Sequence, residues 1–181
     1  AGRRPGSHDA RALQNILETY PRDELFQIDD ETLLDSAMGI LHLEDHPKTK
    51  LFVRKDRFQR FVSAMVFVPR EVFNSDLRAR IGERLRAAYN GRLSAFYPSF
   101  GDAPLARIHY IIGLDPNPPE PDIDALERAI RQESRTWNDL FGDLVRQNVD
   151  EDGDKKCALL FAHGFNAAYR EAFDPNEAMI D

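Results

Sequence analysis

Eight residues, Phe61-Val-Ser-Ala-Met-Val-Phe-Val68, are apolar apart from Ser63, and Pro69 closes the run. A segment this short and this rich in β-branched and aromatic residues reads as a strand. With so few polar positions it belongs in the centre of a sheet. Lys50-Leu-Phe-Val-Arg54 has the same character, and Lys55 to Arg60 is a polar connection of hairpin length. Downstream, Arg92–Pro98 and Leu105–Leu114 read as two more strands around a Gly101-Asp-Ala-Pro104 turn, with Ile108, Tyr110 and Ile112 alternating with His109 and Ile111.

Outside the strands the apolar period is 3.6. Ala10, Leu13, Ile16, Leu17 and Tyr20 mark a helix over 9–20 that Pro21 stops. Leu33, Leu34, Ala37, Met38 and Leu41 mark another over 30–44, capped by Asp29 or Asp30 and ended by Pro47. Asn74 or Ser75 caps a helix carrying Leu77, Ile81, Leu85 and Ala88, with Asn90-Gly91 as a left-handed stop. After the stiff connector of Pro116, Pro118, Pro119 and Pro121, Asp122 opens a stripe of Ile123, Leu126, Ile130, Trp137, Leu140, Phe141 and Leu144. One helix over 123–148 is the reading, about 40 Å at ~1.5 Å per residue, its end overhanging the sheet. A final helix is expected over 158–173.

The order α-α-β-β-α-β-β-α-α contains a split βαβ. The expected fold is therefore α+β: a ferredoxin-like sandwich with four mostly antiparallel strands and helices 75–89 and 123–148 on one face. The hairpin partner at 50–54 stands in for a missing last strand. Residues 1–47 read as a linker and helical arm, and 48–181 as the α+β domain with its long C-terminal helices. The chain lacks an initiator Met and stops as an apolar pattern resumes, so it reads as excised from something longer.

Composition narrows the class. Twelve Phe and 42% hydrophobic residues among 181 support a packed core. The net charge is −7, and no apolar run nears the ~20 residues a membrane helix needs. A single cysteine, Cys157, excludes a disulfide framework and suits a reducing, cytoplasmic setting.

Every chemical motif tested lacks a required residue. His42 and His46 share a helix face, but Leu43 stands where a zincin places its Glu. Asp150-Glu-Asp-Gly-Asp154 resembles a calcium loop, yet Asn148 and Leu159 occupy the first and twelfth positions. No glycine-rich phosphate loop or nucleophile elbow is present, and Ser7-His8-Asp9 lies in a linker. Cys157 beside Lys155 and Lys156 reads as structural, and Trp137 as core. The expectation is no catalytic residue, no metal and no cofactor.

Nucleic acid is the alternative. Lys48, Lys50, Arg54, Lys55, Arg57 and Arg60 face one acid, Asp56, over 48–60, with Phe52, Phe58 and Phe61 interleaved. That is the composition of an RNA platform. The RNP1 register rejects it: Phe58, Gln59, Arg60 and Ala64 stand where glycine, an aromatic, a small residue and an aromatic are required. Residues 101–181 hold eight basic against seventeen acidic groups, which repels phosphate.

Several phrases carry a family resemblance: Leu17-Glu-Thr-Tyr-Pro-Arg-Asp-Glu-Leu-Phe-Gln27, Arg54-x-Asp-x-Phe-x-Arg-Phe-Val-Ser63, Val66-Phe-Val-Pro-Arg70, Asn74-Ser-Asp-Leu-Arg-Ala-Arg-Ile81, Arg135-Thr-Trp-Asn-Asp-Leu140 and Phe165-x-Ala-Ala-Tyr-Arg-Glu-Ala-Phe173. From about Ala10 to Asp181 the chain resembles the non-catalytic N-terminal region of the large bacterial NAD-dependent glutamate dehydrogenases. That resemblance implies an ACT-like domain serving regulation or assembly, with NAD bound elsewhere in the parent. It implies as partners the other parent domains, further copies of the parent and an amino-acid effector, with no nucleic acid or membrane. The corner joining a central strand to a helix N-terminus, at Arg70, Asn74 and Ser75, is where a carboxylate effector is expected.

Overall fold

In the computed structural model, which describes residues 8–101, 103–148 and 164–178, the apolar run becomes the interior strand of a four-stranded antiparallel sheet. The strands are β1 (Lys50–Lys55), β2 (Phe61–Pro69), β3 (Arg92–Phe100) and β4 (Leu105–Gly113), in the order β1-β2-β4-β3. The fold is α+β, and β1 occupies the place beside β2 that a ferredoxin-like module gives to its last strand. The chain divides into two compact units, Ala1–Ser134 and Arg135–Asp181.

The helices of the first unit are α1 (His8–Thr19), α2 (Arg22–Leu25), α3 (Asp30–Asp45), α4 (Ser75–Ala88) and α5 (Ile123–Glu133). The two-residue period of β2 sorts its side chains onto two cores. Val62, Ala64, Val66 and Val68 join Ile108, Tyr110 and Ile112 of β4 against Leu77, Ile81 and Leu85 of α4 and Leu126 and Ile130 of α5. Met65 and Phe67 point the other way, onto Ile16 and Tyr20 of the α1 segment and Ala37, Ile40 and Leu41 of α3. Each fully buried Val, Ile or Leu contributes roughly 1.5–3 kcal/mol relative to exposure. The N-terminal arm is thus the cover of the second sheet face.

Caps fall where the sequence puts them. Asp29, Asn74 and Asp122 accept from the backbone N–H of Thr32, Leu77 and Ala125 at 2.9, 2.8 and 3.0 Å. At the end of α4, Asn90 takes the left-handed conformation (φ 46°), and the Gly91 N–H donates to the Arg86 carbonyl at 2.9 Å. Glu127 of α5 shields the outer edge, accepting from the Leu51 N–H at 3.2 Å and from Lys50 at 2.8 Å.

Three features depart from the sequence reading. The single helix expected over 123–148 is two helices, α5 and α6 (Trp137–Asn148). Thr136 and Asp139 form a reciprocal cap: the Thr136 N–H donates to the Asp139 carboxylate at 2.9 Å, and the Asp139 N–H donates to Thr136 Oγ1 at 3.1 Å. A new helix start is more favourable there than continuation. The second departure is α2, a turn of helix directly after Pro21, where the sequence suggests only a stop.

In the second unit, α6, α7 (Ala167–Ala172) and α8 (Pro175–Ala178) gather Phe141, Val145 and Ala178 with Trp137, Phe165 and Tyr169. Trp137 packs half-buried against this cluster, and its indole N–H donates to the Phe173 carbonyl at 2.9 Å. The third departure is the last helix, expected over 158–173: residues 164–166 are not helical, and α7 starts only at Ala167, where Asn166 caps it by accepting from the Tyr169 N–H at 2.8 Å. Residues 158–163, Cys157 and the acidic run 150–154 lie outside the described residues.

Candidate functional site

At the predicted corner, β2 runs through a 3₁₀ turn, Arg70–Val72, into α4. The Arg70 guanidinium donates to the Gly101 carbonyl at 3.0 Å and lies 5.9 Å from the centre of the Phe100 ring. Asn74 is engaged as the cap of α4, and Ser75 is exposed at its first position. The three residues are neighbours, and two of them already hold partners within the chain.

The basic hairpin is largely neutralised from inside. Lys50 pairs with Glu127, Arg54 with Glu24, Lys55 with Glu120 and Arg60 with Asp56. Four of its six cations therefore have carboxylates, which removes most of the charge a phosphate backbone needs. His42 and His46 meet edge to face at 4.9 Å, and no group of metal-binding side chains occurs among the described residues.

The sheet face under the arm carries chemistry that the sequence reading missed. Arg54 of β1, Ser63 of β2 and Arg107 and His109 of β4 all project there: Arg107 and His109 are opposite Phe67 and Met65, Ser63 is two residues from Met65, and Arg54 is opposite Ser63. On β3 the register slips between Leu93 and Ala95. That bulge flips the remaining strand, so Tyr97 is opposite His109, and Tyr97 and Ser99 line the same face as Arg107. From above, α2 lowers Glu24 onto the face. Glu24 accepts two bonds from Arg54, at 2.8 and 2.9 Å, with the two side chains only 3% and 9% exposed.

His109 Nε2 lies 2.8 Å from Ser63 Oγ and 3.8 Å from Glu24 Oε1. Serine, histidine and acid in one cluster invite comparison with a catalytic triad. The geometry differs, since a triad places its acid on Nδ1 and its serine on Nε2. Here both face Nε2, the acid is held by Arg54, and Ser63 and His109 are buried. Burial pushes the imidazole pKa down, with Glu24 opposing and Arg107 and Arg54 reinforcing. The cluster is a buried neutral histidine in a structural network, not a nucleophile with its base.

Beside it, two clefts open on this face. One, about 540 Å³, lies under α2 and is walled by Phe26, Phe61, Tyr97 and Ile111. The other, about 440 Å³, lies by α1 and α3 against Ile16, Leu43, Phe67 and Leu105, with Glu44 at its side. Arg107 lines both. The available sequence signal was the placing of Arg107 and His109 between the core positions of β4.

Comparison with known proteins adds a family. Residues 50–138 match the model of the glutamate dehydrogenase ACT2 domain, and residues 1–46 match that of glutamate dehydrogenase helical motif 1. The NAD-specific glutamate dehydrogenase of Halomonas elongata is 38% identical over 185 residues, covering 100% of this chain. That of Pseudomonas aeruginosa is 33% identical over 177 residues and that of Mycobacterium tuberculosis 28% over 189, each covering 97% of this chain. The chain spans only 11–12% of the length of these curated relatives.

Proposed function

The chain belongs to the glutamate dehydrogenase family, carrying its helical motif 1 and ACT2 segments, and on that premise we propose that it is a non-catalytic regulatory and assembly module of a larger NAD-dependent enzyme. The match of residues 50–138 to an ACT2 domain carries this reading. The longer protein oxidises glutamate with NAD to 2-oxoglutarate, ammonia and NADH. Its other domains and further copies of itself are the module's partners, and the cytoplasm, which suits the lone Cys157, is its setting.

The residues present do not fit a dinucleotide. The sheet is wholly antiparallel, without the parallel crevice such cofactors occupy, and no glycine lies between Pro69 and the first turn of α4. NAD is therefore assigned to the remainder of the parent. An amino-acid effector is the regulatory half of the reading. At the corner of Arg70, Asn74 and Ser75 its carboxylate would have to displace the Gly101 carbonyl from Arg70.

The test compares the parent enzyme with and without this segment, by light scattering and by glutamate-dependent NADH formation across a panel of amino acids. The expected outcome is retained turnover with an altered assembly state or a lost response to amino acids. Unchanged mass and unchanged response would overturn the reading.

A further inference from the structure

Arg107 is a cation without an anion. It is half-buried on β4, and among the described residues no carboxylate or carbonyl accepts a hydrogen bond from it. Arg54, on the same face, has two bonds to Glu24. Burial disfavours the charge on Arg107, and the nearby Tyr20 phenol, itself pushed up by burial, stays neutral and brings no negative charge to offset it. A guanidinium cannot shed its proton to escape this, so the cost persists until an anion arrives.

The cleft under α2 says which anion. Its walls include Phe26, 88% exposed, and Tyr97, 60% exposed, two large aromatic surfaces left open to solvent beside the cation. The Ser94 bulge turns Tyr97 onto this face; without the slip it would point at α4. The surrounding acids are Asp23 and Glu24 in this cleft and Glu44 in the next. Arg22 also lines this cleft, and Glu24 is already held by Arg54, so Arg22 and Arg107 face only Asp23 as a free acid. That surplus of one positive charge is balanced by a single negative charge and overfilled by a dianion. Aromatic and aliphatic walls select an apolar body behind it.

We propose that the cleft under α2 binds a small organic monocarboxylate, its carboxylate paired with the Arg107 guanidinium and its apolar body against Phe26, Phe61 and Tyr97. This goes beyond the regulatory reading, since binding is a property of the chain whether or not it controls an enzyme.

Calorimetry of the 181-residue chain with 3-phenylpropionate, phenylalanine and inorganic phosphate tests it. The expected result is saturable binding of 3-phenylpropionate or phenylalanine and none of phosphate. Whichever of the two acids binds more tightly tells whether an ammonium beside Asp23 helps. Arg107→Met should weaken the acid about tenfold to a hundredfold, the loss of a charge-assisted pair. Its thermal midpoint without ligand should match or exceed that of the parent sequence, because an unpaired, desolvated charge has been removed. Tyr97→Ala should weaken binding as well, and Arg70→Ala should leave it unchanged. The proposal is overturned by the absence of saturable binding of either acid, by equal affinity in Arg107→Met, or by phosphate competing equally. A lowered midpoint in Arg107→Met would make Arg107 a structural residue and overturn it too.

Discussion

Removing Glu24 should cost far more than removing a surface carboxylate. Glu24→Ala deletes both bonds to Arg54 and leaves that guanidinium, only 9% exposed, without a counter-ion. The neighbouring Arg107 adds a second uncompensated cation on the same face. Orphaning one partner of a buried pair costs roughly 3–5 kcal/mol. Because β1 is an edge strand and α2 a four-residue helix at the surface, water can reach Arg54 once the carboxylate is gone. The lower end, about 3 kcal/mol, is therefore expected. At roughly 2–4 °C per kcal/mol for a chain of this size, the midpoint should fall by about 6–12 °C. Thermal melts at pH 7.5 measure the midpoint, and urea denaturation followed by circular dichroism measures the free energy, repeated in high salt to which a desolvated pair is insensitive. Arg54→Ala and the double variant complete a cycle in which the double should cost clearly less than the two singles added. A loss below about 0.5 kcal/mol, or strict additivity, would refute the claim that this pair is buried and coupled.

Three further expectations follow from particular contacts. His109→Gln should flatten the acid limb of the stability curve. Burial holds the folded imidazole below its ordinary value, against Glu24 and Asp23 and with Arg107 and Arg54, so the unfolded chain takes the proton first. The parent sequence therefore loses stability as pH falls below about 6.5, and denaturation at pH 7.5 and 5.5 should show a smaller drop in the variant. Gly91→Ala should destabilise by about 1–3 kcal/mol, since a Cβ there would stand 2.5 Å from the Gly113 carbonyl oxygen, a backbone atom that cannot swing aside. Thermal melts that leave its midpoint unchanged would contradict this. Asn74→Ala should cost about 1 kcal/mol through the lost cap to Leu77, read by the same melts.

Much of the fold was legible because local and global signals agree in it. Phe61–Val68 has a single polar position, Ser63, and it became the interior strand; Asp29, Asn74 and Asp122 sit just before periodic stripes, and each caps its helix. The break at 134–136 was hidden by periodicity. Trp137, Leu140, Phe141 and Leu144 continue the α5 stripe in phase, while the Thr136-x-x-Asp139 cap that restarts the helix is a four-residue signal inside it. The site was less legible for a different reason. Glu24 and Arg54 are thirty residues apart and meet only because α2 lies over the sheet, and nothing local in the sequence specifies that. Tyr97 reaches the Arg107 face through one inserted residue in β3, which shifts every side chain beyond it. The corner at Arg70 could be named from the sequence because its residues lie close together in the chain, but the partners of Arg70, the Gly101 carbonyl and the Phe100 ring, come from the far end of β3 and carry no local signal.

Steady-state absorbance at 340 nm of the purified 181-residue chain, with saturating glutamate and NAD, bears most directly on whether this segment is a module without turnover. The predicted result is no NADH formation above the enzyme-free rate at any chain concentration, beside robust formation by the full-length parent. A saturable, glutamate-dependent rate that scales with the chain and survives removal of contaminating enzyme would contradict it.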